Sequence, residues 1–313
     1  MGSIYIITPC RNSCETISQT IDSVLSQDTG CHIFYHIQDG LSDDNTQKIL
    51  EYYENKIQND IELNKKITFT WDSVRDDGMY DAISIAVKRL SIPDNCFMGW
   101  INADDLLSPI CFRTLEKLAL SNVDWIGGPP LMQDMQGNVL GQGMRGMYPR
   151  YFLQHGLCDG MHWNFLQQEG TFFKKRLWDI VGGFTAKLRL AGDWDLWRRM
   201  AAIADYIQTP WPMGIFRQRP GQLSQDLSAY MRETEGIVSL KIRRKALRRV
   251  IKKMHNLPVH EIGENGEKLS VSESVLKLNP RTVFKMQCCA MGFYRLPQLH
   301  QKALAIFDMF WGK

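Results

Sequence analysis

A chain of 313 residues, 44% of them hydrophobic, is long enough for one large domain with an appendage or for two domains, and too apolar to be globally disordered. The formal charge of +3 hides two opposed parts: residues 241–313 hold fifteen Lys and Arg against five Asp and Glu, or +10, and the remainder carries −7. An acidic body argues against nucleic acid as a partner, and a basic tail argues for something anionic near it. The eight Cys show no zinc or redox spacing and the N-terminus does not read as a signal peptide, so reduced thiols and a cytoplasmic protein are expected. No run of eighteen apolar residues predicts a membrane span.

In chain order, Ile4-Tyr5-Ile6-Ile7 reads as a strand and Thr8-Pro9-Cys10-Arg11-Asn12 as the loop after it. Ile17, Ile21, Val24 and Leu25 then recur at helical spacing. Ile33 to Ile37 is a second strand leading into Gln38-Asp39-Gly40-Leu41-Ser42-Asp43-Asp44, with Ser42 placed to cap a helix through Ile49, Leu50, Tyr53 and Ile57. Ile67 to Trp71 is a third, followed by Asp76-Asp77-Gly78-Met79-Tyr80-Asp81 and a helix through Ala86, Val87 and Leu90. The fourth is the apolar run from Phe97, which ends in Asn102-Ala103-Asp104-Asp105; Ser108-Pro109 is expected to open the next helix. Strand alternating with helix predicts an α/β fold with a mostly parallel sheet and right-handed crossovers.

Polar loops follow each of the four strands and would lie along one sheet edge, where α/β folds hold ligands. Two adjacent carboxylates at that edge repel each other unless a cation or hydrogen-bond donors offset them. A divalent metal carrying a diphosphate is one solution. Val123 to Ile126 is a further strand, closed by Gly127-Gly128-Pro129-Pro130, and the stretch from Leu131 to Gln168 reads as strands and loops building a second half-site. Arg189-Leu190-Ala191-Gly192-Asp193-Trp194-Asp195-Leu196-Trp197 opens a helix, and Phe216 to Ser224 is a basic, turn-rich loop. No internal repeat or low-complexity segment is present.

Five ordered pieces now resemble the family-2 glycosyltransferases of the GT-A fold, especially bacterial enzymes of surface-polysaccharide assembly. They are the Thr8-Pro9 strand end, Asp39-Gly40-x-Ser42-x-Asp44, Asp76-x-Gly78-Met79-Tyr80-Asp81-Ala82, Asn102-Ala103-Asp104-Asp105, and Gly192-Asp193-Trp194-Asp195-Leu196-Trp197. The resemblance covers residues 3–225. It implies a Rossmann-like GT-A domain over 1–225, with a nucleotide-binding half over 1–107 and an acceptor half over 108–225, followed by a helical, basic extension over 226–313. It also implies a nucleotide-sugar donor, with a uridine base favoured, and a saccharide or lipid-linked saccharide acceptor.

Residue by residue, the resemblance implies that Thr8, Pro9 and Arg11 line the nucleotide pocket and that Asp39 accepts a hydrogen bond from the base. Asp76, Gly78 and Asp81 approach the base, ribose or phosphates; Asn102 and Asp104 hold the donor. Asp105 ligates Mg²⁺ or Mn²⁺, and Asp193 is the general base of an inverting transfer. Arg217 and Arg219 suit the diphosphate oxygens. Trp163, Gln168, Glu169 and Trp194 are candidates for the acceptor side. Blander roles stay open: Asp39 as a turn residue, Asp44 and Asp193 as helix N-terminal groups, Asp195 as structural, Tyr80, Trp194 and Trp197 as core, and His162 as a non-ligand.

The chain also departs from the family's pattern. Gly192 stands where many members have Glu before the base, Arg219 where many have a metal-binding His, and Gln168-Glu169 where the family has His-Gln. A nucleotidyltransferase making a nucleotide sugar is an alternative, but Thr8 to Asn12 lacks the Gly-rich phosphate loop it would need. A sugar-binding protein that has lost catalysis is another, motivated by Gly192 and Arg219. In the extension, residues 241–253 hold eight basic residues and no acidic one, with Leu240, Ala246, Leu247, Val250, Ile251 and Met254 on one helical face. Such a helix either lies on the anionic inner face of a membrane or packs on the body. The apolar end at 305–311 is a second docking candidate.

Overall fold

The computed structural model describes residues 2–119, 121–143, 148–222, 226–253, 256–265 and 268–291. The first half alternates as expected: β1 (Ser3–Cys10), α1 (Ile17–Leu25), β2 (His32–Asp39), α2 (Thr46–Asn59), α3 (Ile61–Lys66), β3 (Ile67–Ser73), α4 (Met79–Arg89) and β4 (Phe97–Trp100). β1 pairs in parallel with β2 and β4, and β2 with β3. Side chains alternate across the sheet, so Ile4 and Ile6 join one apolar layer while Tyr5 and Ile7 join the other. Both faces are covered, which is why these strands read as continuous apolar runs.

The strands run further than their apolar letters. β1 continues through Thr8, Pro9 and Cys10, which pair with Ile37, Gln38 and Asp39, so these residues are strand rather than loop. Pro9 is tolerated because it closes a strand end. The helix starts also differ from expectation. Ser42 does not cap α2, whose N-cap is Asn45; the Ser42 hydroxyl bonds Asp39 instead. Ser108 does not open a helix, because Leu106–Leu107 (β5) pairs with a later strand and α5 (Cys111–Leu118) starts beyond it.

The second half holds β6 (Trp125–Gly127), β7 (Leu131–Asp134), β8 (Val139–Gln142), α6 (Arg150–Gln154), β9 (Phe172–Lys174), α7 (Lys175–Val181), α8 (Gly192–Met200), β10 (Ile207–Gln208) and β11 (Gly214–Gln218). β9 inserts antiparallel between β4 and β6. β5, β11, β7 and β8 form a separate small sheet over the acidic pair. Three indoles lock α8 beneath the main sheet: Trp100 stacks on Trp197 at 5.4 Å and Trp197 on Trp125 at 5.5 Å.

The extension carries α9 (Leu227–Ile237), α10 (Leu240–Lys253) and α11 (Pro280–Met291), and between the last two a hairpin, β12 (Asn256–Asn265) and β13 (Lys268–Lys277), that helical periodicity does not announce. β12 pairs in parallel with β10, so the hairpin widens the main sheet to nine strands, in the order β13-β12-β10-β6-β9-β4-β1-β2-β3. The basic helix α10 packs on the body: Leu240, Ala246, Leu247 and Val250 are buried, while Lys241, Lys245, Arg248, Arg249 and Lys252 face solvent. Met254 and the apolar end at 305–311 lie outside the described residues.

One basic residue of α10 points inward. Arg243 is 0% exposed and donates to Asp159 at 2.6 Å and to the Val238 carbonyl at 3.1 Å. Asp159 also takes His162 at 2.7 Å, so His162 has a structural partner. Removing one side of a buried pair strands the other charge. Arg243→Ala should therefore cost about 3–5 kcal/mol in urea unfolding, and the double variant Asp159→Asn with Arg243→Met should recover most of it. A single-variant loss below about 1 kcal/mol would show that water reaches Asp159 in the folded protein.

Candidate active site

The C-terminal edge of β1 to β4 gathers the predicted donor residues. Asp39, the last residue of β2, is 0% exposed and held by Ser42 Oγ, the Ser42 N–H at 3.0 Å, Ser73 Oγ at 2.6 Å and Gln47 Nε2 at 3.3 Å. It is therefore a fixed floor rather than a simple turn residue. Asp76 lies across from it, so close to Gly40 that a Cβ there would come within 2.6 Å of Asp76 Oδ2. Asp76 also accepts from the Gly78 N–H at 2.9 Å, and its carboxyl is raised, chiefly by desolvation.

The remaining donor candidates split. Gly78 has φ +113°, a conformation open to glycine, and nothing lies within 4 Å of the Cβ position. Asp81 is exposed and accepts from the Asp77 N–H at 3.0 Å, which closes this loop on itself. Arg11 is exposed and lies close enough to Asp76 to act on its charge. Thr8 is turned inward, its hydroxyl 3.0 Å from that of Tyr35, and Pro9 is buried too, so neither side chain is presented at the edge.

The two acids after β4 have opposite environments. Asp105 is 0% exposed; its oxygens accept from the Arg217 N–H at 2.8 Å and from Asn102 Nδ2 at 3.2 Å. Burial holds its carboxyl well above the ordinary range, and Glu169 and Asp104 add to the rise. Asp104 faces outward, with Oδ2 taking Arg219 Nε at 2.7 Å and Gln222 Nε2 at 3.3 Å. Arg217, 2% exposed, donates to the Asp104 carbonyl and to Gln19, so it braces the loop, and Arg219 is the guanidinium at the surface. Sequence reasoning placed the metal on Asp105, but that carboxylate is sealed behind protein donors. The outward oxygen donor of the motif is Asp104.

Among the described residues no group of three or more His, Cys, Asp or Glu could hold a metal unaided. Mg²⁺ and Mn²⁺ do not require one, since one carboxylate with diphosphate oxygens and waters completes a hard-oxygen shell. Asp104 Oδ1 accepts no hydrogen bond among the described residues, and the residues fit a cation shared with a diphosphate.

Asp193 sits in the first turn of α8, whose N-cap is Ala191, so Asp193 is not the cap. It accepts from Tyr80 Oη at 3.0 Å and the Trp194 N–H at 2.7 Å, and desolvation raises its carboxyl to about 6. The missing Glu is explained here. A Cβ on Gly192 would lie 2.6 Å from the Tyr80 ring, which packs flush against the backbone where a larger residue would project. Asp195 is structural, paired with Arg198 and Arg199 at 2.8 and 2.9 Å.

On the acceptor side, Gln168 is buried and accepts from Trp100 Nε1 at 2.5 Å. Trp163 packs edge-on against Phe152 at 4.9 Å. Glu169 lies between the two ends: it is within hydrogen-bonding reach of Asp105, feels the charge of Asp193, and is raised chiefly by desolvation to about 7. Sequence reasoning missed Glu233 of α9, which accepts from the N–H groups of Arg189, Leu190 and Ala191 at 3.1, 2.9 and 2.9 Å, just ahead of Asp193. No motif marks it, because its role exists only after α9 folds back.

The raised Asp193 has a measurable consequence. Between its unfolded value of 3.8 and its folded value of about 6, the native state keeps a proton that the unfolded chain has lost. This contribution to stability is present at low pH and is lost as pH rises through that window. Asp193→Asn should flatten the descent and exceed the native chain by about 3 kcal/mol above pH 6; parallel pH profiles of urea stability for the two proteins would refute the assignment.

The fold has counterparts among solved structures. The 1–349 fragment of S. aureus TarS, solved in complex with UDP-GlcNAc, superposes with a TM-score of 0.57 at 16% identity, over 81% of this chain and 73% of that one. Mannosyltransferase PcManGT from Pyrobaculum calidifontis, solved in complex with GDP-Man and Mn²⁺, superposes with a TM-score of 0.50 at 15% identity, over 99% of this chain and 87% of that one. At such identities the likeness shows the fold, which is that of the GT-A glycosyltransferases. No curated protein sequence matches the chain. The sequence profile described as glycosyl transferase family 2 matches residues 5–179, more than half the chain, and the protein belongs to that family.

Proposed function

We propose that the chain is an inverting glycosyltransferase that moves a sugar from a uridine-linked donor to a saccharide or lipid-linked saccharide in polysaccharide synthesis. The observation that carries the reading is Asp193. It is a partly exposed carboxylate at the start of a helix, aimed by Tyr80 and locked through Trp197 to the strand that ends in Asp104 and Asp105. With its carboxyl near 6, Asp193 is ionised at neutral pH and basic enough to take a proton. An acceptor hydroxyl gives that proton to Asp193 as its oxygen attacks the anomeric carbon. The bond to the diphosphate breaks on the opposite face, which inverts the centre.

The departing diphosphate gains negative charge. Arg219 at the rim of the loop meets it, held in place by Asp104. Asp104 is also the residue that would hold Mg²⁺ or Mn²⁺, which when bound would neutralise charge on the diphosphate. Asp105 supports this loop from behind. At the pocket end Asp39 and Asp76 offer acceptors to the imide N–H of uracil. Gln47, the longest of the nitrogen and hydroxyl donors on Asp39, is the one a base would replace. A uridine donor rests on this chemistry alone, so the donor is settled by hydrolysis of a panel of UDP- and GDP-sugars.

Peripheral attachment to an anionic membrane surface is also proposed, through charge alone. No helix among the described residues is long and apolar enough to cross a membrane. Leu240, Ala246, Leu247 and Val250 of α10 are buried in the body, so among the described residues its outward face carries Lys241, Lys245, Arg248, Arg249 and Lys252, with Ile242 the exposed apolar side chain beside them.

Four outcomes are expected. Asp193→Asn should cut transfer by about 10²-fold or more while UDP binding holds, and the activity of the native enzyme should rise with pH through about 6. Tyr80→Phe should move that limb upward, since the lost hydrogen bond favours the carboxylate; an unmoved limb would assign the titration to another group. Asp104→Asn should abolish the Mn²⁺ dependence of UDP affinity in calorimetry, and survival of that dependence would return the metal to Asp105. Co-sedimentation with anionic liposomes should fall with salt and with Lys245→Glu plus Arg249→Glu. Binding insensitive to both would remove α10 from the contact.

A further inference from the structure

The helix that carries Asp193 begins without a cap of its own. Its N-cap is Ala191, which has no side-chain acceptor, and Gly192 follows it. Backbone N–H groups at a helix start need partners from elsewhere. Here one side chain from outside the helix takes three N–H groups in a row. Glu233 Oε2 accepts from Arg189, Leu190 and Ala191 at 3.2, 2.9 and 2.9 Å, and Oε1 accepts from Arg189 as well at 3.1 Å. Successive N–H groups turned to one side make a concavity that holds an anion. In this protein the anion is the half-buried carboxylate of a residue on α9.

The clamp is seated as well as charged. Ala191, Trp194 and Tyr230 form a buried apolar cluster with Leu190 and Met231 packed against it, so α9 is pressed onto the segment it holds. Tyr230 and Glu233 stand three residues apart and share a helix face. On the other side, Tyr80 Oη of α4 lies 3.2 Å from the Leu190 carbonyl and 3.0 Å from Asp193 Oδ1. The segment is therefore held between α4, which follows the Asp76 loop, and α9, which lies beyond the stretch at 5–179 that identifies the family.

The Glu233 charge also reaches Asp193. Burial is the main reason that carboxyl is raised, and Glu233 adds to the rise, against the hydrogen bonds from the Trp194 N–H and Tyr80, which lower it. Glu169, ahead of β9, and Tyr230 of α9 are the other titratable groups that feel Asp193. Arg243 lies over the Trp194 ring, but Asp159 balances its charge.

We propose that Glu233 is a positioning residue for the transfer: by gripping the N–H groups of residues 189–191 it fixes where Asp193 stands relative to the hydroxyl that gives up its proton. This deepens the proposed function and rests on Asp193 being the base. It gives α9 a part in the reaction without contact to the substrate.

The amide separates grip from charge. Oε2 alone takes all three N–H groups, so one amide oxygen can replace it. Glu233→Gln keeps the clamp and removes the charge, and Glu233→Ala removes both. Full-length variants are assayed on the nucleotide sugar of the panel that the native enzyme hydrolyses fastest. Glu233→Ala should lower kcat by about 10²-fold, the scale of a small misplacement of a reacting group, with UDP affinity by calorimetry within about twofold of native. Glu233→Gln should recover most of that loss, and its kcat should rise at a lower pH than the native enzyme's, because a charge that raised Asp193 is gone. The fall in urea stability that Asp193 gives should likewise end at a lower pH in Glu233→Gln, a readout that needs no turnover. Native-like kcat in Glu233→Ala, a parallel loss of UDP affinity, a Gln variant no better than Ala, or an unmoved stability profile overturns the proposal. A profile that moves as expected in a protein that hydrolyses no donor, or whose hydrolysis is indifferent to Asp193→Asn, sustains the clamp and refutes Asp193 as the base instead.

Discussion

The stack of Trp100, Trp197 and Trp125 sets the spacing on which the site depends. Trp100 closes the strand two residues ahead of Asn102, and Trp197 lies one helical turn beyond Asp193. Their rings are nearly parallel, 11° apart. Large flat surfaces in contact admit few alternative arrangements, so the end of β4 and the start of α8 cannot drift independently. The hydrogen bond from Trp100 to Gln168 extends the constraint to the segment carrying Glu169. Chemistry between a donor and an acceptor tolerates little misplacement, and a dry aromatic stack is a rigid way to meet that demand.

Much of the donor half was legible because it is local. Apolar runs of four or five residues mark strands, Asp-rich loops follow them, and a parallel sheet brings those loops to one edge whatever the details. What sequence misjudged were the places where a distant partner decides. Ser42 has the composition of a helix cap but spends its hydroxyl on Asp39. Ser108-Pro109 has the composition of a helix start, yet Leu106 and Leu107 are drawn into pairing with Ile215 and Gly214, more than a hundred residues on. The hairpin at 256–277 was hidden for the same reason, since its strands are stabilised by an edge that forms elsewhere.

The roles of the acids follow a similar division. Asp104 and Asp105 are adjacent letters with the same charge, and only burial separates them. Asp105 turns inward under the Arg217 backbone, while Asp104 keeps its carboxylate at the surface. Sequence order alone carries no information about which of two neighbours a loop will turn inward. Glu169 is less local still. Its shift comes from an enclosure built by segments on either side of it, with Asp105 and Asp193 at its two ends. Crowded carboxylates of this kind resist ionising together, which adds to the rise that burial gives each of them.

The clamp made by Glu233 has a consequence for biogenesis. Strands β1 to β4 are complete by residue 100, and Asp193 follows in the first turn of α8. Its anchoring groups, Glu233 and Arg243, come later, and the strand that completes the sheet beside β10 later still. A chain emerging from the ribosome therefore completes the edge of β1 to β4 early and tethers the segment at 189–193 late, because N-terminal units fold before the rest is made. Until α9 is made, the segment at 189–193 lacks the Glu233 carboxylate that holds its N–H groups. Asp193 is therefore fixed in place only once α9 and α10 have joined the body.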